Sequence, residues 1–590
     1  VRRSVLAESL YGVDVKPTAV RLAELRLWLA LVADDATSDL ALVAPLPNLD
    51  GHIRAGDALL DPLTVAATLG GGTALIGARA EVRRLEVARR RLFHLAGSEK
   101  RAAETELRRA EAALADDLLR RAVARLEEEI AGLVARGRDR DLFGGRRGLA
   151  APDRARLGRL RASRRELRDA LRRLTRDGET PFFAFETHFG DLRARGGCDV
   201  IVGNPPWVRG ERLPARVREA LSLRYATWRP AATRGFAHLP DLAVAFVERA
   251  LELAAPGGVA ALLVPAKLAT SGYGEALRRR LATETRLERI ATLAGGARAF
   301  DAAVYPMALV AARTDPGANH QTATALGPAS RAPHVPQHDL RAAGPWVLVR
   351  DVQQLVRRLA ERFPRLSERW RPLLGVKTGA DDVFLVPGDA AVGRPAARGR
   401  DVRRWEITST RRVLWTHGPD GRPLAQLPPE LAERLAPHFD RLRRRADFRG
   451  GPPWQVFRPA LSVAAHRVVW PDVARRLEAA VPAADVVPLN TVYGIATRTG
   501  DDALALAALL NSRWLGALAA VAADPARGGY RRFNARVVGA LPVPPPSSAV
   551  WARLAECGRT LTTDDDDVAA AFELDAAERR ALGRLAADPF

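Results

Sequence analysis

Asn204, Pro205, Pro206 and Trp207 follow directly on the apolar run Val200-Ile201-Val202. An amide side chain, a prolyl carbonyl and an aromatic face on successive residues suit a planar base that carries an amino group. The Asn204 amide oxygen and the Pro205 carbonyl can accept the two amino hydrogens while Trp207 stacks on the ring. With both hydrogens engaged, the nitrogen lone pair stays available to attack an electrophile. As a bare tetrapeptide the same residues also make an ordinary surface turn. Their position favours the chemical reading. Cys198 to Val202 has the pattern of a buried strand, and Pro205 and Pro206 cannot donate to a ladder, so the backbone must leave the sheet there. In open α/β sheets ligands bind at the carboxyl ends of the strands.

Two acids upstream occupy comparable places. Ser9-Leu10-Tyr11-Gly12-Val13-Asp14 reads as a short buried strand ending in a carboxylate. Pro17 then opens a helix with an apolar stripe of Leu22, Leu25 and Leu29. A strand-tip acid such as Asp14 suits the ribose hydroxyls of a nucleoside cofactor, and taken alone it serves equally as a helix N-cap. Ile53 to Leu60 repeats the arrangement with Asp57 at the turn. The run Gly70-Gly71-Gly72 comes after this acid and reads as a flexible linker.

From Ala78 to about Asp177 the chain is charged and helical. Leu85 and Leu92 repeat at seven, while Val123, Leu126, Ile130 and Leu133, and Leu167, Leu171 and Leu174, step by three and four. Helical hairpins or a short coiled coil are expected, broken at Gly144-Gly145-Arg146-Arg147-Gly148. The arginines here either touch a nucleic-acid backbone or line a solvated face. Pro181 to Phe189 leads back into the sheet. Beyond Asn204, an amphipathic helix starts at Asp241 and Pro256-Gly257-Gly258 turns into the strand Val259–Pro265. The prolines of residues 315 to 345 mark a boundary.

Composition bounds the rest. At 590 residues the chain needs two to four domains. Its formal net charge of +22 rests almost wholly on arginine, with Lys16, Lys100, Lys267 and Lys377 the only lysines. An excess of that size points to a polyanionic partner. The two cysteines, Cys198 and Cys557, support neither a metal cluster nor a disulfide framework. No apolar run reaches about 18 residues, so no membrane span is expected, and with so few cysteines the expectation is a cytoplasmic protein.

The segment from Cys198 to Trp207 resembles the catalytic motif of the amino methyltransferases that use S-adenosyl-L-methionine. The order of segments resembles the adenine-N6 DNA methyltransferases of the gamma motif order, the lineage of type IIG restriction-modification enzymes and large phage-defence methyltransferases. Leu10 to Asp14 with Trp28 and Leu29 is similar to its second cofactor motif, and Ile53 to Leu60 to its third. The resemblance implies that Asp57 accepts from the adenine amino group of the cofactor. It also implies that Asn204, Pro205, Pro206 and Trp207 hold a flipped adenine, with a second aromatic among Trp228, Phe236 and Tyr273. Gly375 to Leu385, Gly399 to Trp405 and Arg527 to Phe533 resemble the target-recognition domain of the lineage.

The fold implied is α/β: a doubly wound, Rossmann-like methyltransferase sheet with a helical insertion and a C-terminal α+β target-recognition domain. The expected limits are 1–77 for the cofactor half, 78–180 for the insertion, 181–320 for the catalytic half and 346–590 for target recognition. The lineage's first motif, a strand, glycine loop and helix, belongs upstream of Tyr11, where this sequence has ten residues. The sheet is therefore expected to be incomplete at its N-terminal side and to expose apolar edges. A separate chain or upstream segment is expected to carry that motif and any nuclease. Pro152-Asp153 and Pro471-Asp472 lack the following Glu-x-Lys of a nuclease. The expected activity is site-specific adenine methylation of double-stranded DNA. Methylation of a protein glutamine or an RNA base, and a DNA-binding remnant that cannot methylate, are the alternatives.

Overall fold

The computed structural model describes residues 2–33, 45–71, 77–95, 98–138, 148–229, 239–292, 305–326, 329–546 and 548–587. The chain divides into two compact units. The first takes Val1–Leu262, Glu284–Arg286 and Val310–Asp315; the second takes Leu263–Thr283, Leu287–Leu309 and Pro316–Phe590.

In the first unit, α1 (Arg2–Glu8) precedes β1 (Gly12–Asp14), and α2 (Pro17–Val32) leads towards β2 (Ile53–Ala55). β1 and β2 pair in parallel, Gly12 against Ile53 through Asp14 against Ala55, the pairing that a helical crossover permits. The strand is shorter than Ser9 to Asp14, because Ser9 N–H still donates to Val5 O of α1 at 2.9 Å. The leucine stripe of α2 is not its buried face. Leu22, Leu25 and Leu29 are 49, 48 and 58 % exposed. The helix instead packs Val20, Ala23, Leu27 and Leu31 against Ile53, Leu49 and Phe93. It carries two apolar stripes, and spacing alone does not tell which one meets the strands.

After α3 (Pro62–Leu69), whose N-cap Asp61 accepts from Thr64 N–H, come α4 (Arg79–His94), α5 (Ser98–Arg138) and α6 (Ala151–Asp177). They share one core built on Leu85, Leu114, Leu118, Leu126, Leu160 and Leu167. Gly70 is the C-cap of α3 and Gly71 has φ +101°, so the first two glycines of that run end a helix, while Gly72 lies outside the described residues. Of the predicted Gly144 to Gly148 break only Gly148 is described.

The phenylalanine-rich approach forms two short helices, α7 (Phe185–His188) and α8 (Gly190–Ala194), rather than a strand. β3 (Cys198–Gly203), α9 (Ala215–Arg224), α10 (Leu242–Leu253) and β4 (Ala254–Pro265) follow. β3 and β4 are parallel, with Val200 against Val259 and Gly203 against Leu262. Pro256-Gly257-Gly258 lies inside β4 and does not precede it. Cys198 pairs with Ala254 and Val200 already with Val259, so the strand absorbs these residues as a bulge. A Cβ on Gly258 would stand 2.6 Å from Cys198 O.

The expected burial of β3 is only half realised. Ile201 packs on a cluster of Phe183, Phe185 and Phe189, whereas Val200 and Val202 are 64 and 80 % exposed. Alternate residues of a strand face opposite ways, and the cluster covers one face only.

The second unit mixes helices and small sheets. Its largest core joins the helices Gly500–Leu510, Arg513–Ala522 and Ala549–Arg559 to Val468, Trp470 and Ile495. Those three residues lie in the antiparallel pair His466–Pro471 and Val492–Thr497. A four-stranded sheet is built from Leu385–Pro387, Arg411–Val413, Arg394–Ala397 and Val487–Pro488. Among the described residues no single helix is long and apolar enough to cross a membrane.

Candidate active site

The turn Asn204 to Trp207 is fixed from both sides. Upstream, the register of β3 on β4 holds it. Downstream, Leu242 N–H donates to Val208 O at 2.9 Å and Arg209 bridges to Asp241, tying the chain after Trp207 to the start of α10. Asp241 caps that helix by accepting from Ala243 N–H at 3.0 Å. Gly210 must be small, since a Cβ there would lie 2.7 Å from Pro240 O. On this support Pro205 is buried, Trp207 half-buried and Asn204 exposed. Neither the Asn204 amide nor the Pro205 carbonyl is engaged by another described residue.

Asp14 and Asp57 stand near the carboxyl ends of neighbouring parallel strands. Asp14 Oδ1 accepts from Lys16 N–H at 2.8 Å; the N-cap of α2 is Lys16, so Asp14 makes a turn two residues before the helix and is not its cap. Asp57 Oδ1 accepts from Leu59 and Leu60 N–H at 2.8 and 3.2 Å. Each exposed carboxylate thus spends one oxygen on its own turn and leaves Oδ2 for a hydroxyl or amino donor. Between them Gly56 is pinned, because a Cβ there would meet the Phe183 side chain at 2.2 Å. Tyr11 and Val13 of the β1 segment pack on the same aromatic cluster as Ile201 of β3, with Tyr11 edge-on to Phe189 at 5.0 Å. That cluster brings the acid pair and the Asn204 turn onto one support.

Of the aromatics expected to face a base, Trp228 is excluded. It is fully buried, with Nε1 donating to Asp241 O at 3.2 Å, so it braces α10. Phe236 lies outside the described residues, and Tyr273 belongs to the second unit.

The sequence did not single out the residue that ties the helical insertion to this site. Arg89 of α4 is 2 % exposed and pairs with buried Asp191, which also accepts from the Tyr11 hydroxyl at 3.2 Å. Its remaining nitrogens donate to Gly51 O at 2.9 Å and to His188 O. Burial, then the Asp191 carboxylate, push the Tyr11 phenol above its ordinary value, so it remains a donor. Arg89 lies four residues after Leu85 and seven after Val82 on the buried face, and that position was the available signal. Removing one partner of a buried pair leaves an uncompensated charge. Arg89→Ala is therefore expected to cost about 3 kcal/mol of unfolding free energy; a loss below about 1 kcal/mol in denaturant titration would show that water already screens the pair.

Two histidines beside this node predict acid sensitivity. Burial, then Arg89, lower His52 to about 4, and burial, then Arg54, lower His188 to about 3. Both are neutral in the fold, whereas in the unfolded chain they titrate near 6.5. The unfolded state therefore binds more protons below pH 6.5, and stability falls as pH drops from there towards 3 to 4. At pH 5 each histidine accounts for about 2 kcal/mol. The denaturant midpoint should fall between pH 7 and pH 5, and fall less in His52→Gln/His188→Gln. An equal fall in both proteins would assign the effect elsewhere.

Residues 8–300 match the Eco57I restriction-modification methylase family. The type II methyltransferase M.XhoI of Xanthomonas vasicola is 28 % identical over 387 residues, 59 % of this chain and 68 % of that protein. M.PaeR7I of Pseudomonas aeruginosa is 26 % identical over 384 residues, 59 % of this chain and 65 % of that protein. A solved structure of the type IIL restriction-modification enzyme MmeI in complex with DNA aligns at a TM-score of 0.46 and 13 % identity, covering 90 % of this chain and 82 % of that one.

Proposed function

We propose that this chain, whose residues 8–300 match the Eco57I restriction-modification methylase family, methylates the N6 amino group of adenine in double-stranded DNA, within a restriction-modification or phage-defence system. The observation that carries the proposal is the exposed Asn204 beside Pro205, two unengaged acceptors on a braced strand-end turn with Trp207 alongside. A flipped adenine stacks on Trp207 and donates its amino hydrogens to the Asn204 amide oxygen and the Pro205 carbonyl. As the nitrogen attacks, positive charge grows on the amino group, and these two acceptors stabilise it. The N–C bond would form as the donor's bond from methyl to sulfur breaks, leaving a neutral thioether, and the amino proton then leaves to solvent.

S-adenosyl-L-methionine, when bound, supplies an electrophilic methyl on sulfur. The free Oδ2 atoms of Asp14 and Asp57 fit its nucleoside half, one for ribose hydroxyls and one for the adenine amino group. Residues 346–590 are assigned to target recognition, with exposed Arg532 among the phosphate contacts.

One observation favours a second reading. Val200 and Val202 are exposed, and among the described residues β3 has a neighbouring strand, β4, on one edge only. In that reading the chain binds DNA, and methyl transfer needs a strand from another polypeptide on the open edge of β3. The test is transfer of a labelled methyl group from S-adenosyl-L-methionine to duplex DNA by the purified chain. Incorporation supports the first reading, and DNA binding without incorporation selects the second.

A further inference from the structure

The first unit contains a second polar cavity, of about 320 Å³, whose residues precede β3 and β4 or follow at Arg313. α3 forms one wall, and the charged lining is Glu186, Arg193, Arg224, Arg249, Glu252 and Arg313. Four guanidinium groups therefore face two carboxylates.

The pairing among them is uneven. Glu252 takes Arg224 through both oxygens, one contact at 2.9 Å, and Arg249 at 3.4 Å. Glu186 stands 3.8 Å from Arg193, and its Oε2 is buried without a hydrogen-bond partner among the described residues. Arg193 and Arg313 otherwise donate only to backbone oxygens, Glu252 O at 3.2 Å and Ala254 O at 2.6 Å. Arg249, with a side chain 4 % exposed, uses Nε on Ala58 O at 3.2 Å, yet among the described residues neither its Nη2 nor Arg224 Nε has an acceptor. The next carboxyl, Asp61, is buried behind Thr64. Its burial, then the nearby Glu186, push its pKa up to about 6, and both its oxygens already accept from Thr64.

Buried donors without acceptors beside a cavity call for water or an ion, and an excess of positive charge around it selects an anion. Guanidinium groups converging from α8, from α10 and from Arg313, just past the strand Pro306–Ala312, match a tetrahedral oxyanion, which takes several N–H donors at once. At about 30 Å³ per water, the cavity holds such an ion with part of its hydration shell. We propose that this cavity is a binding site for a small oxyanion of the phosphate type, held by Arg193, Arg249 and Arg313. The occupant also steadies the segment beside Asp57, since Arg249 grips Ala58 O and the Tyr225 hydroxyl donates to Leu59 O at 2.6 Å.

Equilibrium dialysis of the full chain against ³²P-orthophosphate, with chloride holding ionic strength constant and no DNA or methyl donor present, tests the site apart from methyl transfer. The expected result is saturable binding of one phosphate per chain, displaced by sulfate and weakened at least tenfold in both Arg193→Gln and Arg313→Gln. Adenosine monophosphate distinguishes the source: a free anion is not displaced by it, whereas a nucleotide phosphoryl group is. Sulfate displacement in the unaltered chain keeps the test decisive if a variant folds poorly. Binding that is non-saturable, or equal in the parent and in folded variants, would reflect the general positive charge of the chain and overturn the proposal.

Discussion

Asn204→Ala is expected to lower the rate of methyl transfer to duplex DNA by roughly 10² to 10³ while leaving DNA affinity almost unchanged. On the proposed mechanism the amide oxygen is one of two acceptors that orient the target amino group, and its contribution grows as positive charge develops on nitrogen. Removing one such hydrogen bond is worth about 2 to 4 kcal/mol in the transition state. The fold should tolerate the change, because the side chain is exposed and bonds no described residue. Trp207→Ala should instead weaken capture of the flipped base, and Trp207→Phe should keep much of the activity, since stacking needs only an aromatic face. The comparison requires single-turnover methyl transfer and binding to the same duplex for each variant. Parental turnover in Asn204→Ala would make the Asn-Pro-Pro-Trp turn structural.

DNA affinity should fall about 10³-fold or more between 50 and 200 mM salt. The reason is the excess of 22 positive charges: each phosphate neutralised by an arginine releases a counterion, and six or more contacts produce a loss of that size. Many arginines do not contribute. Arg89, Arg249, Arg278 and Arg467 are buried, and both terminal nitrogens of Arg467 donate to backbone oxygens between Ser462 and Val486. The slope of log affinity against log salt counts the remainder. A slope near zero would mean that the surface charge serves some other purpose.

The parts of the site legible in the sequence were those carried by consecutive residues. Pro205 and Pro206 end β3 where their missing donors require it, and Asp57 occupies a turn after an apolar strand as its neighbours imply. What depended on contacts between distant segments was not legible. Leu22, Leu25 and Leu29 have the spacing of a buried stripe, but the competing face through Val20 and Leu27 meets β2. Arg89 looked like one more surface arginine, whereas its partner Asp191 lies 102 residues away. Trp228 looked available to a base until its indole was found on Asp241 O. The Pro-Gly-Gly of residues 256 to 258 signals a turn in isolation, and only the register with β3 shows it to be a bulge within β4.

The most direct measurement is the identity of the methylated nucleoside. Duplex DNA treated with the chain and labelled S-adenosyl-L-methionine is digested to nucleosides and separated. The label should appear in N6-methyladenine and disappear with Asn204→Ala. Label in 5-methylcytosine, which forms at carbon and needs no pair of amino-group acceptors, would contradict the assignment of Asn204 and Pro205, and label in N4-methylcytosine would contradict the choice of adenine.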